Sequence, residues 1–139
     1  MRSWLVVAAL CGGAGCTFGA EQPLKEYMGH VVAFAAQNVW NKQGWISDRT
    51  GTHSLLPKTD QEWEDAESAS LTLAAVIELL AEPDHRLPFP GWSANAQRVR
   101  KLAQESASAA EKHDGEAFMR LGSDLDEACE ACHIASGVK

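Results

Sequence analysis

Close to its C-terminus the chain reads Cys129-Glu130-Ala131-Cys132-His133, and this spacing restricts the fold more than any other feature. Two thiols three residues apart lie on nearly one face when the segment is helical. The next residue then carries an imidazole just beyond the second thiol. C-x-x-C-H is the pattern that ties a haem covalently to protein, with two thioethers to its vinyl groups and the histidine as proximal ligand to iron. Cys129 and Cys132 are therefore the expected covalent haem attachments, and His133 an expected axial ligand of haem c.

Two other chemistries use part of this pattern. A thioredoxin-like Cys-x-x-Cys pair needs a βαβ setting, and nothing in the sequence reads as a strand pattern. Half of a zinc site needs a second Cys/His pair at ligand spacing, and the sequence offers none.

The N-terminus has the layout of an export signal. Arg2 supplies a positive charge, Trp4 to Leu10 an apolar run, and Gly12 to Ala20 a small-residue region. The run is too short to stay in a bilayer as a spanning helix. Residues 1–19 are expected to be a signal peptide, with Thr17 and Gly19 in the recognition positions, and residues 20–139 the folded domain in a bacterial periplasm. An alternative reads Gly13-Ala14-Gly15-Cys16 as a lipobox, with Gly13 where leucine is usual. Cys16 would then bear a lipid anchor on a periplasm-facing lipoprotein. Either way Cys11 and Cys16 belong to the leader and Cys129 and Cys132 to the motif, so no pair is left for a structural disulfide.

The chain has 139 residues, enough for one domain with a core. Its formal net charge is −7, and the leader would remove only a cation. Such a surface disfavours nucleic acid and anionic membrane. It suits redox partner proteins with a basic face, beside its plain reading as a solvated acidic surface.

Four segments follow a helical period. The first runs from about Pro23 to Lys42, with Leu24, Met28, Val31, Ala35 and Val39 on one stripe, flanked by Val32 and Phe34. A loop from Trp45 to Lys58 follows, longer than helix connections usually are, with Trp40 and Trp45 expected to pin it down. The second helix opens with Thr59 and Glu62 in capping-box spacing. It buries Trp63, Ala66, Ser70, Leu73, Ile77 and Leu80. Pro83, Pro88, Pro90 and Gly91 break the chain.

The third helix, capped by Ser93 and ending near His113, buries Ala96, Val99, Ala103, Ser106 and Ala110. That small-residue face can admit either a neighbouring helix or a haem plane. Arg98, Arg100 and Lys101 form its solvated basic side. Asp114 and Gly115 lead into the fourth helix, about Glu116 to Ser136, whose stripe of Phe118, Leu121, Leu125, Ala128 and Cys132 is stopped by Gly137. The expectation is an all-α fold, an antiparallel four-helix bundle with the haem on the inward face of its last helix.

An iron held between helices has a second axial position. Met28 lies in the middle of the first helix's stripe and is the candidate; a core gap-filler is its bland reading. His30 is the rival, but two helical positions turn it about 200° around the axis from Met28. His53, His85 and His113 fall in loops or at a helix end and read as surface residues.

Four helices with C-x-x-C-H near the end of the last one resemble the cytochrome c′ superfamily. The resemblance covers about Pro23 to Gly137, and its specific part is Cys129, Cys132 and His133. In that family's low-spin branch a first-helix methionine closes the sixth position, which implies Met28 as second axial ligand and a single-electron carrier. In the high-spin branch the iron is five-coordinate and binds nitric oxide or carbon monoxide, the alternative function. Pairing of two copies through the first two helices is also implied. Many members carry a basic residue four positions after the haem histidine, where this chain has Gly137. No second cluster suggests a base, nucleophile or metal site, so no enzyme activity is expected.

Overall fold

A computed structural model describes residues 24–82 and 89–137. The leader, Cys16, Pro23 and His85 lie outside them. The described chain is mostly helical, with four helices and one small two-stranded sheet. Helix α1 covers residues 24–40 and changes character on the way. It is α-helical over Leu24–Tyr27 and Ala33–Trp40, with a π-helical turn over Met28–Val32 between. Helix α2 is Asp60–Ala81, α3 Trp92–Glu111 and α4 Gly115–Ser136. α2 packs on α1 and α3, and α3 on α4.

The helix ends follow from local chemistry. Thr59 Oγ1 accepts from Glu62 N at 3.2 Å, while the Glu62 carboxylate accepts from Thr59 N at 3.0 Å, so two orphan amides of α2 are satisfied reciprocally. The backbone amide of Lys58, which donates to the same carboxylate at 2.6 Å, and then that of Thr59 hold the Glu62 carboxyl below its ordinary pKa. Asp114 Oδ1 accepts from Ala117 N at 3.0 Å to start α4, and Gly137, at φ 73°, ends it. Gly91, not Ser93, stands before α3; its φ of 95° turns the chain so that Trp92 already belongs to the helix.

The core forms along the stripes read from the sequence. In α2 the buried side chains are Trp63, Ala66, Ser70, Leu73, Ala74, Ile77 and Leu80; in α4 they include Phe118, Leu121, Leu125 and Ala128. The small face of α3 turns out to have two tasks. Its C-terminal half meets α2, where fully buried Ser70 donates to Ala66 O at 2.9 Å and lies 3.2 Å from the hydroxyl of Ser106. Its N-terminal half, with Ala96 and Val99, faces a cavity.

The stripe of α1 differs from expectation. Val32, Ala35, Ala36 and Val39 are buried, Val31 is only half-buried, and Phe34 is 68% exposed. Two helical positions turn Phe34 about 200° from Val32, opposite the buried stripe, and one turns Val31 about 100° from it, to the stripe's edge. The π-turn, with one residue more per turn, offsets the residues that precede it.

The segment Trp45 to Lys58 is not a plain loop. Trp45–Asp48 (β1) and Gly51–Ser54 (β2) pair antiparallel, Trp45 opposite Ser54 and Asp48 opposite Gly51. Asp48 Oδ1 accepts from Thr50 N at 2.7 Å and Thr50 Oγ1 at 2.6 Å, which closes the turn and lowers the carboxyl's pKa. The hairpin escaped the sequence reading because it is exposed on nearly every residue; with no face to bury it needs no alternation of apolar and polar side chains. Trp40 does pin the end of α1, its indole donating to Gly122 O at 3.2 Å. Trp45 does not: it is 66% exposed. Buried Gln43 takes that second role, donating to Phe118 O at 2.6 Å. A side chain at position 122 would overlap the Gln43 amide, so glycine admits it.

Candidate functional site

The two thiols, the histidine and Met28 meet at one cavity. It has a volume of about 400 Å³ and is partly open to solvent. Its walls come from all four helices: Leu24, Lys25, Met28 and Val32 from α1, Ile77 and Leu80 from α2, Trp92, Ala96 and Val99 from α3, and Cys129, Cys132, His133 and Ser136 from α4. Apart from Lys25, Ser136 and His133 these are apolar or sulfur-bearing side chains. Cys129 and Cys132 are half-buried, and His133 lines the cavity while staying exposed.

Each wall has a local cause. Cys129 and Cys132 stand one helical step apart in the last turns of α4, which puts both on the side of that helix turned to the cavity. Ser136 donates to His133 O at 2.8 Å and Gly137 N to Ile134 O at 3.1 Å, closing the end of the helix just beyond the motif. Trp92 is held by its indole N–H, which donates to Leu80 O at 2.6 Å, and by an edge contact with Phe89 at 5.4 Å. Sequence reading missed Trp92 and Lys25. The first is legible only once Gly91 is known to start the helix, and the second only once the turn of α1 is known.

Burial, and to a smaller degree the negative charge of Cys132 and Asp126, pushes the Cys129 thiol up to about 11. Burial raises Cys132 in the same direction. Both are therefore neutral thiols at pH 7, unlike the depressed thiols of redox-active Cys-x-x-Cys pairs. Cys129 as a free thiol should react with iodoacetamide at pH 8 about a hundredfold more slowly than an exposed thiol, since its thiolate fraction is smaller by that order. The folded state holds this proton more tightly than the unfolded one, so stability should fall as pH rises from about 9 to about 11. Fast labelling at pH 8 would show that the thiol is not sheltered in this way.

The remaining histidines are elsewhere. His30 is 78% exposed and pairs with Glu26 at 3.1 Å on the same helix. His53 sits on the hairpin, 2.7 Å from Thr50 Oγ1. His113, at φ 54°, stacks on Trp63 with ring centroids 5.3 Å apart, so it caps the core end rather than lying free. The basic side of α3 is spent on ion pairs: Arg100 with Glu78 at 3.2 Å and Arg98 with Glu127 at 3.9 Å, both solvent-exposed and of little energetic weight.

Comparison of the chain with protein-family models, curated proteins and solved structures finds no match. The cavity is therefore the feature that bears on function. Among the described residues no three His, Cys, Asp or Glu side chains converge as a bare metal ion would need. A haem is a different requirement, because its macrocycle supplies four nitrogens and the protein only tethers and axial ligands. A volume of about 400 Å³ lies within the roughly 300–1,000 Å³ of ligand pockets. The donor set of two thiols, one imidazole and one thioether, in an apolar setting, fits that group. Among the described residues no helix is long and apolar enough to cross a membrane.

Proposed function

We propose that the protein is an exported c-type cytochrome of the cytochrome c′ kind, an antiparallel four-helix bundle that passes single electrons. The observation that carries this reading is the convergence of Cys129, Cys132, His133 and Met28 on one apolar cavity. Cys129 and Cys132 would tether the haem, and His133 and Met28 would ligate its iron. When bound, that group supplies a reversible one-electron couple at iron.

The chain's own contribution is environment. The apolar walls, above all Ile77, Leu80, Trp92 and Val99, exclude water and disfavour extra charge, which raises a reduction potential. Ligation by the Met28 thioether would act in the same direction. Lys25 is the lysine among the lining residues and adds positive charge at the cavity in a molecule of net charge −7. The acidic surface suits a basic redox partner, and Phe34, Leu71 and Leu79, exposed on α1 and α2, offer apolar surface for pairing two copies.

The deciding experiment is the absorption spectrum of the mature protein, oxidised and reduced, produced with cytochrome c maturation machinery. A low-spin spectrum with the weak far-red methionine–iron band is the expected result. A high-spin spectrum that shifts on adding carbon monoxide would replace electron transfer by the five-coordinate, gas-binding alternative. Met28→Ala is expected to turn the low-spin spectrum high-spin and to admit carbon monoxide rapidly. An unchanged low-spin spectrum in that variant would remove Met28 from the ligand set.

A further inference from the structure

The π-turn decides which side chain of α1 faces the cavity. It is marked by the five-residue hydrogen bond from Ala33 N to Met28 O. α-Helical residues turn about 100° each, so an unbroken α-helix would put Tyr27 about 140° around the axis from Val32, out of the core. The surplus residue of the π-turn takes back about 100°, bringing Tyr27 to within about 40° of Val32. Tyr27 OH then reaches Val76 O on α2 at 2.8 Å, and Met28 comes to line the cavity.

The same arithmetic gives the alternative register. With α1 wholly α-helical from Val32 back, each residue before the turn moves by one place. Met28 would stand where Tyr27 now meets α2, and Gly29 would stand where Met28 now lines the cavity. Glycine has no side chain to present there, and the surroundings of Gly29 leave room, since an added Cβ would have no neighbour within 4 Å.

We propose that residues 27–32 form a one-residue register switch, with Met28 in the cavity in the π register and bare Gly29 in the α register. The π register gains the Tyr27–Val76 bond and whatever Met28 binds. The α register regains regular helical hydrogen bonding, because the five-residue bond from Ala33 N to Met28 O gives way to four-residue bonds. For a haem-bearing chain, a consequence that rests on the function proposed above, the switch would withdraw the Met28 side chain and admit a small ligand without unfolding the helix.

The test uses two variants with opposite expected effects. Deleting His30, whose contact is the exposed pair with Glu26, removes the surplus residue. Regular α-helix then keeps Met28 at the cavity and leaves no second register. Tyr27→Phe deletes the bond that holds the π register. Methyl NMR of the haem-free protein, labelled at methionine, should show microsecond-to-millisecond exchange at Met28. The Met28-out population should rise about fivefold in Tyr27→Phe, the usual weight of one hydrogen bond, and exchange should vanish in the His30 deletion. In haem-loaded protein, carbon monoxide binding should speed up in Tyr27→Phe and slow at least tenfold in the deletion. Exchange that is absent from both native protein and Tyr27→Phe, or that persists unchanged in the deletion, would overturn the switch. The haem-free measurement stands even if no haem is taken up, so loss of the cytochrome reading and loss of the switch are told apart. Should the deletion fail to fold, native protein against Tyr27→Phe still decides.

Discussion

Replacing Cys129 and Cys132 together by alanine is expected to abolish covalent haem. Denaturing electrophoresis followed by haem staining should show a signal for the parent chain and none for the variant. The reason is chemical: each thioether needs a sulfur at the cavity wall, and Cys129 and Cys132 are the cysteines of the described residues. The cavity itself should survive, because alanine removes two sulfurs from a wall whose other residues are unchanged. His133 and Met28 would remain to ligate iron, so the variant should still bind haem, but dissociably. Covalent haem retained in the variant would overturn the central proposal. Loss of folding in the haem-free variant would mean that the thiols are chiefly packing groups.

Phe118→Ala carries the largest expected loss of stability. Phe118 is fully buried, and its ring meets Trp63 edge-on with centroids 5.7 Å apart. Truncating a buried phenylalanine costs about 3–5 kcal/mol, transfer and cavity terms together, and the aromatic pair adds about 0.5–1.5 kcal/mol. The carbonyl that accepts from Gln43 belongs to the backbone and stays in place. Denaturant unfolding of the haem-free protein should therefore show a lower midpoint with little change in slope. A loss below about 1 kcal/mol would mean that Trp63 and its neighbours collapse into the vacancy.

Much of the helical layout was legible beforehand, and particular residues show why. The stripe Trp63 to Leu80, the capping box Thr59/Glu62 and the stop at Gly137 each depend on a few neighbouring residues. Periodicity and cap chemistry report such features directly. The hairpin 45–54 was not legible, since its pairing buries no face and leaves no pattern. Val31 was placed on the buried stripe because its four-residue step to Ala35 fits the helical repeat, although about 100° from Val32 it stands at the stripe's edge. The half-and-half use of α3 was also out of reach: Ala96 and Ser106 are equally small, and only their neighbours differ.

By itself the sequence determined which atoms this protein can offer to chemistry: two thiols and an imidazole at fixed helical spacing, and a thioether on an early helix. Covalent order and the helical repeat are sufficient for that. Only the tertiary structure decided that these groups share one cavity, that Trp92 and Lys25 join its wall, and that Met28 rather than Gly29 faces it. Those outcomes depend on how four helices meet and on one extra residue in a turn, where contacts between distant segments outweigh local preference.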